Sequence, residues 1–376
     1  MKFLFTGLLF LAFTASVFSQ KNIPLIKATS KKVDIKVGDK LNKGQWTIMP
    51  RLHPDVYKIS DIGKTLTFYT DLDSISVKID ENTDFDFIIL LNEKDSAYTK
   101  VKYVDSYLTI LKKASAYDYN QSRKIPAFTY QDSSNVNLRR IRKEFHLDSI
   151  AGKGNEISQL LNMMHWVHNI VRHDGSSNNP ALKNAIELVK VCRTENRGIN
   201  CRMMAVILNE CYLAMGYKSR MVTCMPKPLK FNDCHVINTV YSKQLGKWIW
   251  LDPTFDAYVM NEKGELLGIQ EVRDRLINGK PLILNPEANW NRQNSQTKEN
   301  YLYRYMAKNL YRLESPVHSQ YNLETKEKGK TIEYIQLLPL DGINQKPEVE
   351  ISENKKEKVT YKTYITNNPN QFWEEK

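Results

Sequence analysis

The chain has 376 residues, of which 41% are hydrophobic and 26% charged, and its formal net charge is +12. This length predicts two or three packed units. The basic excess lies in scattered pairs such as Lys31-Lys32 and Arg139-Arg140, with no basic block interleaved with aromatic residues. We therefore expect a solvated surface and no nucleic acid binding.

Residues 1–19 have the three regions of a secretory signal peptide. Lys2 comes first, an apolar run follows from Phe3 to Phe13, and small or neutral residues continue to Ser19. The run is too short to span a membrane, and no other stretch approaches the ~18 apolar residues that a transmembrane helix requires. No cysteine lies near Ser19, which argues against a lipoprotein anchor. We expect an exported, soluble protein, either periplasmic or extracellular.

Residues 20–116 are predicted to form a β-rich domain of the β-sandwich type. Val33–Val37, Thr65–Tyr69 and Ile75–Ile79 alternate between apolar and polar residues as strands do, and Phe85–Leu91 and Tyr107–Leu111 are apolar strand candidates. This region contains no set of residues that indicates catalysis.

Residues 117–155 are predicted to hold a polar linker and a leading helix at Asn137–Phe145. A longer helix at Glu156–Arg172 then begins the main domain, residues 156–290, and a short helix follows at Pro180–Cys192. We expect structural roles for the histidines of the long helix, His165 and His168. Two histidines three residues apart can share a metal, but no cysteine or glutamate completes a known ligand spacing, so we predict neither metal nor cofactor.

Cys201 lies at the predicted start of a buried helix, and Gly198 can form the turn that leads into it. Unpaired N–H groups at a helix N-terminus favour thiolate over thiol. Strands predicted at Ser219–Cys224, His235–Tyr241 and Lys247–Leu251 follow. The last two are expected to form a hairpin centred near Gln244 or Leu245, which places His235 opposite or diagonal to Asp252 on the same face.

These three residues have the types that nucleophilic catalysis needs: a thiolate, an imidazole base and a carboxylate that fixes the imidazole tautomer. Each residue alone is better explained structurally, because buried free cysteines and satisfied core histidines are common. The ordered set favours catalysis, with Cys201 as nucleophile, His235 as base and Asp252 as the orienting residue.

The segments Gly198–Arg202, Asp233–Val236 and Trp248–Thr254 resemble the transglutaminase-like superfamily, and the resemblance covers roughly Ile157 to Leu284. It implies an α+β fold with a papain-related core, in which helices pack on an antiparallel sheet and Cys, His and Asp occur in this order. The family includes transglutaminases, peptidases and amidases. In transglutaminases an upstream tryptophan stabilises the oxyanion. For Trp166 we favour a core or groove-lining role, and for the oxyanion the backbone N–H of Cys201.

The chain has five cysteines, an odd number that leaves at least one free thiol in an exported protein. If the strands of Cys224 and Cys234 are neighbours, these two cysteines face each other across a loop. A disulfide between Cys224 and Cys234 is therefore a hypothesis. The pairing of Cys192 and Cys211 stays open.

Residues 291–376 are predicted to form a β-rich C-terminal extension, with strands at Thr331–Leu340, Val349–Ile351 and Val359–Ile365. Asn289–Gln296 is polar and could border the cleft. The tyrosines of Tyr301–Leu313 are expected to pack this extension on the core.

The leading hypothesis is a secreted cysteine hydrolase or acyltransferase that attacks amide or peptide bonds and forms a thioester. Its substrate would be a protein or peptide, such as one of the cell envelope, and hydrolysis is favoured because water is in excess outside the cell. The alternatives are a protein- or glycan-binding module without turnover and a structural envelope protein. The sequence does not determine the oligomeric state.

Overall fold

The computed structural model describes residues 23–341 and 348–374. The predicted signal peptide, residues 1–19, lies outside the described residues. The chain forms two compact units, which divide between Asp105 and Ser106. The boundaries predicted at 116, 155 and 290 remain predictions. Across the described ranges, no helix is both long and apolar enough to cross a membrane.

In its described residues, 23–105, the first unit contains eight strands in two four-stranded sheets. One sheet has the order β1-β7-β8-β4 and the other has the order β3-β2-β5-β6. Apolar side chains from both sheets, such as Ile26, Val33, Phe68 and Phe87, form one core, as expected of a sandwich. The strands are β1 (Leu25–Ala28), β2 (Lys32–Val37), β3 (Lys40–Thr47), β4 (Asp55–Ile59), β5 (Thr65–Tyr69), β6 (Ser74–Lys78), β7 (Asp84–Leu91) and β8 (Asp95–Tyr103).

The second unit combines helices with a large sheet, which confirms the predicted α+β class. Its helices are α1 (Tyr107–Lys112), α2 (Val136–Glu144), α3 (Leu147–Ala151), α4 (Glu156–Ile170), α5 (Ala185–Thr194), α6 (Cys201–Ala214), α7 (Ile269–Ile277), α8 (Ala307–Asn309) and α9 (Pro369–Trp373). A π-helix at Glu299–Met306 precedes α8.

Seven strands of the second unit form one sheet in the order β12-β11-β10-β17-β19-β21-β20. Every neighbouring pair in it is antiparallel except β19 and β21. The sheet thus runs without interruption from the predicted main domain into the predicted C-terminal extension. The strands of this unit are β9 (Thr129–Tyr130), β10 (Ser219–Met225), β11 (His235–Ser242), β12 (Lys247–Leu251), β13 (Val259–Met260), β14 (Ile283–Leu284), β15 (Asn289–Trp290), β16 (Asn294–Ser295), β17 (Arg312–Pro316), β18 (His318–Ser319), β19 (Thr331–Leu337), β20 (Val349–Asn354) and β21 (Val359–Thr366).

Alternate residues of the central strands belong to two different cores. Val236 and Leu251 pack with α6 in one cluster, whereas Ile237 and Trp250 pack with the π-helix in another. This alternation follows from the two-residue period of a strand, and it explains why β10 and β11 are apolar on both faces. α6 and the π-helix therefore pack against β11 and β12 through alternate residues of these strands.

Two predicted elements are wrong in type or extent. Tyr107–Leu111 was expected to be a strand but lies in α1, where the Ser106 side chain caps the helix by accepting the Thr109 N–H. A short apolar run fits both the helical and the strand period, and here the Ser106 cap favours the helix. The helix expected from Pro180 begins only at Ala185, because Asn184 caps it at the Glu187 N–H.

Candidate active site

Cys201 is the first residue of α6. The Asn200 side chain accepts the Met203 N–H and so caps the helix, while every residue from Met203 to Ala214 is buried. Because Cys201 is in the first turn of α6, its backbone N–H has no hydrogen-bond partner within the helix. This N–H lies at the positive end of the helix dipole. The thiol is thus attached to a fixed, buried helix but is itself only partly buried.

The loop before α6 lies directly against residues 172–174. The Ile199 N–H donates to the Arg172 carbonyl at 3.0 Å, and the Asp174 N–H donates to the Ile199 carbonyl at 2.8 Å. A Cβ atom on Gly198 would lie 2.7 Å from the Arg172 oxygen, which is closer than atoms can approach. Glycine is therefore required here by the contact between the two backbones.

His235 and Asp252 form a buried pair. His235 Nε2 lies 2.7 Å from Asp252 Oδ2, and the two side chains are 1% and 0% exposed. The register pairs Asn238 with Leu251, so Asp252 would face Ile237 and lies diagonal to His235 on the same face. The predicted hairpin and the diagonal relationship are confirmed.

The Asp252 carboxylate accepts hydrogen bonds at both oxygens. Oδ1 accepts the Thr254 N–H at 2.9 Å, and Oδ2 also accepts the Tyr301 hydroxyl at 2.6 Å. Trp250 Nε1 in turn donates to the Tyr301 oxygen at 3.3 Å. These donors keep a fully buried carboxylate in one orientation.

Aromatic rings enclose the imidazole of His235. The rings of Phe255 and Tyr305 lie 5.5 Å and 5.2 Å from it, centroid to centroid. Tyr301 and Tyr305 both come from the π-helix, a structure that is frequent at functional sites. This helix therefore contacts both His235 and the Asp252 carboxylate.

The thiol is activated by its neighbours. Burial would raise the pKa of Cys201, but hydrogen bonds with His173 and His235 and with the Val236 backbone outweigh it and lower this pKa to about 6. For His235, burial would lower the pKa, but the Asp252 charge and hydrogen bond raise it to about 10. The site therefore favours a thiolate beside an imidazolium near neutral pH.

The structure thus brings Cys201, His235 and Asp252 together, and it adds four residues that the sequence did not indicate. Tyr301 and Tyr305 belong to the aromatic stretch that was expected only to pack the C-terminal segment. His173 follows the helix that holds His165 and His168, and Trp290 lies in the polar stretch predicted to border the cleft. No local pattern distinguishes these residues, because each reaches the site through tertiary contacts.

The two histidines of α4 and Trp166 have other partners. His165 Nδ1 lies 2.6 Å from Asp256 Oδ2. His168 is buried and contacts the Pro253 carbonyl and Asn289 Oδ1 at 3.0 Å each. Trp166 is half-buried and packs against Phe145, so its core or groove-lining role stays a prediction. Over the described part of the chain, no three His, Cys, Asp or Glu side chains are grouped as metal ligands.

The predicted disulfide between Cys224 and Cys234 is wrong, since all five cysteines are free thiols. Cys224 pairs in register with His235, so its side chain shares a face with that of His235. Cys234 is one residue earlier, where strand alternation directs the side chain away from that face.

Residues 144–253 match the model of the transglutaminase-like superfamily. The chain therefore contains a transglutaminase-like domain, and the resemblance inferred from its motifs is confirmed. Cys201, His235 and Asp252 all lie within the matched residues. No curated protein matches the chain.

Two solved structures are similar to part of the chain. One, described as "a Putative Cysteine Protease from Cytophaga hutchinsonii", is 21% identical, with 43% of this chain and 51% of that chain covered and a TM-score of 0.24. The other is red sea bream transglutaminase, 10% identical, with 67% and 52% covered and a TM-score of 0.25. The similarity thus spans about half the length of each of these proteins.

Proposed function

We propose that this protein is a cysteine hydrolase that cleaves amide or peptide bonds through a thioester acyl-enzyme. The observation that carries the proposal is the buried hydrogen bond between His235 and Asp252 beside a thiol whose pKa is lowered to about 6. The pKa of a structural cysteine in an apolar core is instead raised. In this chain, burial raises the pKa values of Cys211 and Cys224 in this way.

In this mechanism the Cys201 thiolate attacks the substrate carbonyl carbon, and the carbonyl π electrons move to oxygen. The tetrahedral intermediate collapses when His235 donates its proton to the leaving amine. Asp252 holds the imidazole orientation and stabilises its positive charge. Water, activated by the now neutral His235, then hydrolyses the thioester and regenerates the thiolate.

Water is favoured as the acceptor because Cys201 is partly exposed, so solvent can reach the acyl-enzyme. The substrate class of the proposal is a protein or peptide. Export to the periplasm or the extracellular space is part of the proposal and depends on residues 1–19, so fractionation of the producing cells tests it separately.

The test uses p-nitrophenyl acetate, an activated acyl donor that requires no knowledge of the natural substrate. We expect wild-type protein to release nitrophenol in a burst and to carry one acetyl group on Cys201, identified by peptide mass spectrometry. The Cys201→Ser variant is the control. Added methylamine that accelerates deacylation would indicate transamidation, and no acetylation above the control would contradict the proposal.

A further inference from the structure

Two histidines, not one, contact the Cys201 thiol. His173 and His235 both lower the pKa of the Cys201 thiol through hydrogen bonding, and they come from different elements. His235 begins β11, whereas His173 lies in the loop after α4. The mechanism above uses only His235.

The partner atoms of each ring define its tautomer. Trp290 Nε1 lies 3.0 Å from His173 Nδ1, and an indole N–H can only donate. Nδ1 of His173 is therefore an acceptor, so the neutral ring carries its proton on Nε2, the nitrogen left to face the thiol. In His235, Nε2 faces Asp252, a carboxylate that accepts, so Nδ1 is left for the thiol.

His173 is also fixed in position through its backbone. Its N–H donates to Asn291 Oδ1 at 2.7 Å, and its carbonyl accepts from Asn291 Nδ2 at 2.9 Å. A β-bridge joins His173 to Ile199, two residues before the nucleophile. Trp290 and Asn291 follow one another in the chain, so one short segment holds both the ring and the backbone of His173.

We propose that His173 is a second catalytic residue, which donates its Nε2–H to the oxyanion formed when Cys201 attacks a carbonyl. The proposal rests on the proposed acyl transfer. The carbonyl oxygen gains the electron pair while the C–S bond forms, and it then accepts hydrogen bonds from His173 Nε2 and from the Cys201 backbone N–H. Collapse of the intermediate returns that pair to the carbonyl and expels the leaving group, so His173 neither loses nor gains a proton.

This role divides the work between the two histidines. His173 cannot serve as the base, because the nitrogen that faces the thiol already carries a proton. His235 can serve as the base, because its Nδ1 is free to take one. Trp290 acts as a positioning residue, since its N–H keeps the His173 proton on Nε2.

The experiment compares two reactions of Cys201. Alkylation by iodoacetamide displaces iodide and forms no oxyanion, whereas acetylation by p-nitrophenyl acetate does form one. Both limiting rates are measured at a pH where the thiol of every variant is ionised. For His173→Leu we expect acetylation to fall roughly 100-fold, the typical loss for one oxyanion donor, with alkylation within about threefold of wild type.

His173→Gln is the matched variant, because its amide nitrogen can reach the place of Nε2. We expect the acetylation rate of His173→Gln to be at least about tenfold higher than that of His173→Leu. Equal losses in both reactions, or no selective loss of acetylation, would overturn the role of His173. If circular dichroism shows that His173→Leu does not fold, Trp290→Phe replaces it under the same criterion. Wild-type protein that is alkylated but never acetylated would overturn the proposed function itself.

Discussion

Tyr301 and His235 bind the same oxygen atom of Asp252, at 2.6 Å and 2.7 Å. The carboxylate is fully buried, so its charge is compensated by these two donors and by the backbone N–H groups at its other oxygen. Burial and the Asp252 charge raise the pKa of Tyr301 well above its usual value. The phenol therefore stays protonated and remains a donor at neutral pH.

Tyr301→Phe removes this donor without changing the ring. A hydrogen bond to a charged group contributes about 1.5–3 kcal/mol, so we expect the free energy of unfolding to fall by up to that amount. Acetylation of Cys201 should slow by about tenfold, because His235 is held less firmly. Urea unfolding and the p-nitrophenyl acetate assay measure the two effects.

Tyr303→Phe is the control for this variant. It deletes a hydroxyl from the same π-helix. In the described part of the chain, the donors to Asp252 are instead His235, Tyr301 and the backbone N–H groups of Thr254 and Phe255. If Tyr301→Phe has the same unfolding free energy and the same acetylation rate as Tyr303→Phe, the hydrogen bond from Tyr301 to Asp252 has no influence on His235.

The rate of Cys201 alkylation should follow the ionisation of the pair. With a thiol pKa of about 6 and a His235 pKa of about 10, the thiolate–imidazolium form exists between these values. We expect alkylation to increase through pH 6. In His235→Ala the inflection should move upward by at least about one unit, because the thiolate loses its cationic partner.

The same pair predicts the pH profile of acyl transfer. Acetylation by p-nitrophenyl acetate should increase as the thiol ionises. Turnover of an amide should then decrease as the pH rises through 10, because only protonated His235 can donate to the leaving amine. If the pH–rate curves of His235→Ala and wild type have the same inflection, Cys201 and His235 do not form a thiolate–imidazolium pair.

Gly198→Ala tests the close approach of the nucleophile loop to residues 172–174. The new methyl group would lie 2.7 Å from the Arg172 oxygen and from the Asp174 Cβ atom. We expect a loss of about 1–3 kcal/mol in unfolding free energy and slower alkylation of Cys201, since the loop must move away. Gly175→Ala is the matched control, because its Cβ would meet only His173 Cε1, at 3.6 Å.

Glu210 should make stability depend on pH. Burial raises the pKa of its carboxyl to about 8, although two backbone N–H groups, those of Ala185 and Asn322, donate to it. A raised pKa means that the folded protein binds the proton more tightly than the unfolded chain. The stabilisation is complete below the unfolded pKa of 4.5 and is lost as the pH rises through 8.

We therefore expect the unfolding free energy to fall by roughly 2–5 kcal/mol between pH 5 and 8 from this group alone. The Glu210→Gln variant, which has no proton to lose, should show a flatter curve over the same range. Urea unfolding at several pH values measures both curves. Parallel curves for the two proteins would contradict the assignment to Glu210.

The sequence was sufficient for features set by local pattern. The start of α6 followed from helical spacing after Asn200-Cys201, and the β11–β12 hairpin followed from two strand-like runs joined by the loop Ser242–Gly246. The diagonal between His235 and Asp252 follows from that hairpin, because register is a property of the turn and the two strands. These features need no knowledge of the rest of the chain.

Contacts between distant segments could not be predicted in this way. Tyr301 meets Asp252 at a separation of 49 residues, and Trp290 meets His173 at a separation of 117 residues. A tyrosine that packs in a core and one that donates to a carboxylate have the same spacing in the sequence. The continuity of the seven-stranded sheet was missed for a similar reason, since strand order depends on pairing between segments far apart.

The order of the strands has a consequence for synthesis of the chain. Cys201, His235 and Asp252 all leave the ribosome before Tyr301 and before β17, the strand that covers the open edge of β10. Until those later segments arrive, Asp252 lacks its Tyr301 donor and β10 is the edge strand of the sheet, next to the strand of His235. A nascent chain thus carries all three site residues before the edge of the sheet beside them is covered and before Tyr301 can donate to Asp252.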